Sequence, residues 1–236
     1  MKQNDLFDIA FNKLKKISIP IILIILLLIW QAIGVIILQI FGINSDNLTE
    51  LSKVIISFIL DLLLISLIIY IYHKDIFKDF KNFFNKNILK NIKLSFKYWL
   101  IGLGIMIFSN SIIAIITNGT LAANEEAVRE LIDKVPIYMA FQVMIYAPLT
   151  EEIIFRKSIK HAINNKILFI IISGLIFGGL HVISSISSLI DLIYLIPYCT
   201  LGFVFAILYN KTNNIFSTIT AHSFHNALAL ILYLVA

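Results

Sequence analysis

Two adjacent carboxylates and an arginine occupy residues 147–156, Ala-Pro-Leu-Thr-Glu-Glu-Ile-Ile-Phe-Arg, in a chain that is 59% apolar and only 14% charged. On a helix Glu152 and Arg156 are four apart and share a face, with the acid N-terminal in the better orientation for pairing. Glu151 points roughly 100° away from Glu152, so one arginine serves one carboxylate and leaves the other without a counter-ion. Further along, His181, His222, His225 and Asn226 lie in equally apolar runs. Carboxylates and imidazoles in such surroundings can exchange protons or bind a metal. Ionisable side chains inside a membrane segment are by default a functional hypothesis.

The elements that must position these groups are membrane spans. Mean hydropathy is +0.93, and several runs reach the ~20 apolar residues needed to cross a bilayer. The runs are continuous and do not alternate, which excludes a transmembrane barrel. The first apolar run, about 19–41, is too long for the core of a cleavable signal peptide. The expected fold is an all-α polytopic membrane protein with about seven spans, near 19–41, 54–72, 98–117, 136–156, 167–183, 189–209 and 215–235. Leu6, Ile9, Phe11 and Leu14 predict a short interfacial helix before the first span. Residues 74–97 hold seven lysines among Phe77, Phe80, Phe83, Phe84 and Leu89, predicting an amphipathic segment in the headgroup plane. Such a lysine-rich stretch tethered between spans suits anionic lipid headgroups, not nucleic acid. Residues 118–135 read as an acidic loop, and 184–188 as a link. The lone Cys199 leaves no internal disulfide to form. The chain divides into an N-terminal part, 1–135, with three spans, and a four-helix core, 136–236, that holds the polar cluster, within one integral membrane domain. Lysine and arginine concentrate at the N-terminus, in 74–97, in 156–166 and at Lys211. The intervening connections are acidic or uncharged, so the positive-inside rule predicts an N-in, C-out topology.

Helix geometry indicates which polar groups can meet. Glu151 and His181 each lie 15 residues from Lys166. In an antiparallel hairpin that places both roughly 22 Å from the turn, at ~1.5 Å per residue. His222 is nearer its own turn and reaches that level only if the turn sits higher. Gly174 and Gly178 form a small-residue face for close helix approach. Pro148 should open its helix and free backbone groups beside the carboxylates. Each feature also has a plain structural reading: a packed interhelical histidine, an ordinary Gly-x-x-x-Gly contact, a boundary ion pair. His225 faces about 100° from Asn226 and reads as structural. Asp61 and Asn110 are further intramembrane polar groups; Asp61 reads as neutral or hydrogen-bonded.

Glu151-Glu152-x-x-x-Arg156, then Phe177-x-x-x-His181, then His222-x-x-x-Asn226, resemble the three ordered motifs of the CPBP group of intramembrane proteases. That group includes the type 2 CAAX prenyl endopeptidases and the bacteriocin-processing and self-immunity (Abi) proteins. The resemblance covers about 140–230. It implies that Glu151 is the general base activating water, with Glu152 and Arg156 completing the motif. It implies that His181 positions that water or binds a metal, and that His222 and Asn226 stabilise the oxyanion. Amide hydrolysis needs a base within ~3 Å of a water and donors aimed where charge develops. His181, His222 and Glu151 could together ligate zinc with an open fourth position, but the His-Glu-x-x-His signature is missing. The expected substrate is a peptide or membrane protein, such as a leader or signal peptide, cut near the cytoplasmic face of a bacterial plasma membrane. Two rival readings remain. A proton-coupled transporter would also use Glu–His chains, though it predicts a repeat between halves that is absent. A non-catalytic immunity or scaffold protein would have no need of the whole polar set.

Overall fold

The computed structural model describes residues 3–85, 88–183, 186 and 188–235. Its elements are helical throughout: α1 Gln3–Ile40, α2 Glu50–Asn85, α3 Ile88–Ile116, α4 Ala123–Lys134, a composite helix α5 over 136–162, α6 Lys166–Ile183, α7 Leu195–Thr212 and α8 Ile215–Val235. Among the described residues six stretches are long and apolar enough to cross a membrane: Leu14–Ile40, Glu50–Asn85, Ile88–Ile116, Lys166–Ile183, Leu189–Thr212 and Ile215–Val235. The seventh expected span, α5, is not in that set; it is wound in short α and π pieces and carries Glu151, Glu152, Arg156, Lys157 and Lys160. It still runs the length of the bundle. At one end Tyr138 meets Asp61 of α2, and at the other Lys157 meets Asp79 and Lys160 meets Asn210.

Several boundaries differ from the sequence expectation for physical reasons. The interfacial helix expected at the N-terminus is continuous with the first span in α1. The basic stretch 74–97 is not a free-standing element. Tyr72 breaks helical geometry (φ −110, ψ 15) where the second span was expected to end, and residues beyond it continue α2. There Phe77, Phe80 and Phe84 face outward while Phe83 and Asp79 turn in, so the segment is amphipathic but docked. The acidic loop contains α4, with Glu125 and Glu126 in its first turn and Lys134 in its last, as the helix dipole favours. Its Ile132 packs with Met139 and Leu230. Of the expected 184–188 link, only 186 and 188 fall among the described residues.

The core that supports the site lies between α2, α5, α6 and α7. Leu64, Ile68, Ile153, Ile154, Phe155, Phe169, Phe205 and Leu208 are all fully buried there. The glycines of α6 bring α7 close, as their spacing predicts. A Cβ on Gly178 would lie 2.4 Å from Cys199 Sγ and 2.6 Å from its backbone nitrogen, and one on Gly174 would lie 2.1 Å from the Phe203 ring. Outward faces of α1, α2 and α3 are rows of Ile, Leu and Phe, the surface a bilayer requires.

Candidate active site

The helix that carries the carboxylates, α5, is wound unevenly. Two stretches, Gln142–Tyr146 and Ile153–Ser158, have the wider π turn, on either side of Ala147–Glu152. Pro148 explains the first of these. It has no N–H, so it can donate neither to the carbonyl four residues back, Met144, nor to the one five back, Val143. Both carbonyls find partners on α8: Ser223 Oγ donates to Met144 O at 3.0 Å and Asn226 Nδ2 to Val143 O at 2.7 Å. The opening expected at Pro148 is therefore closed by side chains of the last helix. Ser223 was not among the residues singled out from sequence. The freed carbonyls were legible, but nothing in the spacing pointed to their donor.

Glu152 and Arg156 pair as their spacing predicts, with Arg156 Nε 3.1 Å from Glu152 Oε2. Both are 0% exposed. The contact is off hydrogen-bond alignment, and the guanidinium gains further support from the Phe177 ring at 4.4 Å and Gly202 O at 3.4 Å. Glu152 Oε1 accepts from His222 Nδ1 at 2.9 Å. Glu152 is thus committed on both sides. Glu151 is not: its Oε2 has no hydrogen-bond partner, and it lies 3.8 Å from His181 Nε2. Opposite it, His181 Nδ1 donates to the Phe177 carbonyl at 2.8 Å. That bond fixes a neutral tautomer with the lone pair on Nε2, facing Glu151. Tyr198 stacks on the other ring face at 5.0 Å.

The equal-height argument for Glu151 and His181 is met by this 3.8 Å contact. His222 reaches the same level because its turn is drawn inward. Asn214, at that turn, is buried and donates to the Asp79 carbonyl at 2.7 Å, while Asp79 Oδ2 accepts from Lys157 at 2.6 Å and from Ile215 N at 3.3 Å. This buried anchor, too, was not foreseen. His225 stays apart, with its Nδ1 unpartnered. Asn110 faces outward on α3. Asp61 is hydrogen-bonded, as expected, to Gln31, Tyr138 and Gln142.

The donor set does not suit zinc as arranged. Both histidines donate through Nδ1, the pattern of a metal-bound imidazole. Yet among the described residues no three of His, Cys, Asp or Glu converge on a point that could hold a metal ion, so the expected trio of His181, His222 and Glu151 is not gathered. A cavity of about 140 Å³ adjoins His181, lined also by Thr120, Ala122, Glu126 and Tyr194. It opens at the end of the bundle that carries α4, opposite the basic turns. His181 is the sixteenth of eighteen residues of α6, roughly 22 Å from the basic turn that precedes it at ~1.5 Å per residue.

Comparison with known proteins identifies the family. The family model for type II CAAX prenyl endopeptidase Rce1-like proteins matches residues 133–228, a range that holds all three motifs. A Bacillus subtilis protein named "Putative membrane peptidase YdiL" is 32% identical over 188 residues, covering 76% of this chain and 70% of its own. The Lactococcus lactis UPF0177 protein YxdF is 29% identical over 150 residues, covering 58% of this chain and 77% of its own. No solved structure matches the chain. The chain belongs to the CPBP family of membrane proteases, with the type II CAAX prenyl endopeptidases.

Proposed function

We propose that the protein is an intramembrane endopeptidase in which Glu151 is the general base. The observation that carries this reading is the facing pair of Glu151 Oε2, without a hydrogen-bond partner, and His181 Nε2, 3.8 Å away. Both are acceptors. A water placed between them donates one hydrogen to each through bonds of about 2.8 Å, which aims an oxygen lone pair outward for attack. As the water attacks the scissile carbonyl, Glu151 takes its proton and passes it to the leaving amine. His222, once protonated, is an imidazolium held by Glu152, and its Nε2–H is a donor for the tetrahedral oxyanion. Asn226 spends one N–H on Val143 O and retains the other for the same task. No step is routed through a metal, because the donors do not converge.

The substrate is a peptide segment at the membrane, a leader or signal peptide or the edge of a membrane protein, that reaches Glu151 through the cavity beside His181. The protein resides in a bacterial plasma membrane with its basic ends at the anionic cytoplasmic leaflet. That orientation places the scissile bond in the half of the bilayer away from the cytoplasm; cleavage near the cytoplasmic face requires the reverse. The test uses purified protein in detergent with a quenched membrane-peptide library. Wild type should cleave, and folded Glu151→Ala and His181→Ala should not; equal activity in either refutes the site. Mass spectrometry for metal on the same samples should find no stoichiometric zinc.

A further inference from the structure

A further carboxylate, Asp61 of α2, is 0% exposed, and among the described residues no cation pairs with it. Its Oδ1 accepts from Gln31 of α1 at 3.0 Å, and its Oδ2 accepts from the Tyr138 hydroxyl at 2.8 Å and from the Gln142 amide. Gln142 Nε2 also lies 2.5 Å from the Tyr138 oxygen. One acceptor therefore ties three helices together through three donors. Its position along α5 is what matters. Gln142 is the first residue of the π turn Gln142–Tyr146, and the next two residues, Val143 and Met144, are the ones bound by Asn226 and Ser223. The turn is gripped from both sides, by Asp61 on one and by α8 on the other.

The grip has a consequence for the reaction. A π turn holds one residue more than an α turn. Were it to revert, every residue beyond it would rotate by about 100° and shift by about 1.5 Å along the helix. Glu151 lies beyond it, and such a rotation would carry its carboxylate away from His181. We infer that Asp61 is a positioning residue for peptide hydrolysis: by holding Gln142 it fixes the rotational register that presents Glu151 to His181. The activity readout rests on the endopeptidase reading above.

The test compares wild type with Asp61→Asn, Gln142→Met and the swap Asp61→Asn/Gln142→Glu, all as full-length protein in detergent. Asp61→Asn sets an amide among three donors, Gln142→Met removes one donor, and the swap restores a donor–acceptor pair in the opposite sense. Each single variant should lower kcat about 10–100-fold with KM little changed, the penalty of misplacing a catalytic group by ~1 Å, and the swap should recover most of it. A second readout needs no turnover: modification of Glu151 by dicyclohexylcarbodiimide, followed by peptide mass spectrometry. Its rate should change in both single variants and return in the swap. Folded single variants with wild-type kcat and wild-type labelling would overturn the inference, as would a swap that recovers neither. If Asp61→Asn does not fold, Gln142→Met and the swap decide. If wild type cleaves no peptide, the endopeptidase reading fails while the labelling still judges the role of Asp61.

Discussion

Removing Arg156 should unfold the site more than its few contacts suggest, and removing Glu152 together with it should cost no more. Arg156→Met keeps a long apolar stem among Phe155, Phe177 and Phe205 but deletes the charge 3.1 Å from Glu152. Both groups are 0% exposed, so the carboxylate left behind is uncompensated, and breaking a buried pair in this way costs about 3–5 kcal/mol. The lost contact of the guanidinium with Phe177, 4.4 Å from the ring centroid, adds up to about 2 kcal/mol for a desolvated cation. Glu152→Met strands Arg156 in the same manner, and it also removes the acceptor of His222, worth about 1–3 kcal/mol. In the double variant no charge is stranded, and only the His222 and Phe177 terms remain, together about 1–5 kcal/mol. Neither stranding cost survives in the double, so the coupling energy is about 6–10 kcal/mol, and the double variant is at least as stable as the weaker single one. The assay is SDS titration of the four proteins in mixed micelles, followed by circular dichroism and extrapolated linearly. Additivity to within about 0.5 kcal/mol, as for independent sites, would refute the reasoning, since it would mean that the two groups share no buried charge balance.

The other predictions concern the frame. Gly178→Ala should lower the melting temperature in detergent and Gly179→Ala should not. A Cβ at 178 would lie 2.6 Å from the Cys199 backbone nitrogen, whereas one at 179 meets only Ile183 Cδ1 at 3.4 Å; overpacking of the first kind costs about 1–3 kcal/mol. Ser223→Ala and Asn226→Ala should each cost about 1–3 kcal/mol by stranding a carbonyl that Pro148 cannot serve. In either variant, Pro148→Ala added as a second change should return part of the loss, measured by the same SDS titration. A loss that Pro148→Ala leaves untouched would show that the two side chains do not substitute for the missing N–H.

Much of this architecture was legible in the sequence because it rests on local rules. Apolar run length located the spans, and the ends of α8 agree with the expected 215–235. Helical spacing paired Glu152 with Arg156, and distance from a shared turn brought Glu151 to His181. The Gly174–Gly178 face announced the close approach of α7. What escaped was long-range. Asp79, Lys157 and Asn214 are separated by up to 135 positions, and each reads alone as a residue of a basic stretch or a turn. Residues 123–134 looked like a loop because their charges outnumber their apolar residues, yet a single inward stripe with Ile132 suffices once Met139 and Leu230 stand opposite. The broken symmetry of α5 was visible only as Pro148, since a π turn has no composition of its own.

The residues of the three motifs do not share one task, and their burial separates them. Glu152, Arg156, Phe177 and His222 are between 0% and 4% exposed and interlock around one ring. Phe177 lies under the Arg156 guanidinium at 4.4 Å, against His181 at 4.5 Å and edge-on to His222 at 5.8 Å, and its carbonyl orients His181. Glu151 and His181 keep side-chain exposures of 17% and 22%, and His181 lines the cavity. Of these motif residues it is His181 that meets the cavity, with Glu151 behind it at 3.8 Å. The adjacent glutamates are chemically identical, but a rotation of about 100° between neighbours on a helix turns one into the dry charge that holds the arginine and histidine in place. It leaves the other facing His181 on the less buried side of the cluster. Two consecutive carboxylates are thus the shortest sequence that can supply both a fixed internal anion and an available base from one turn of one helix.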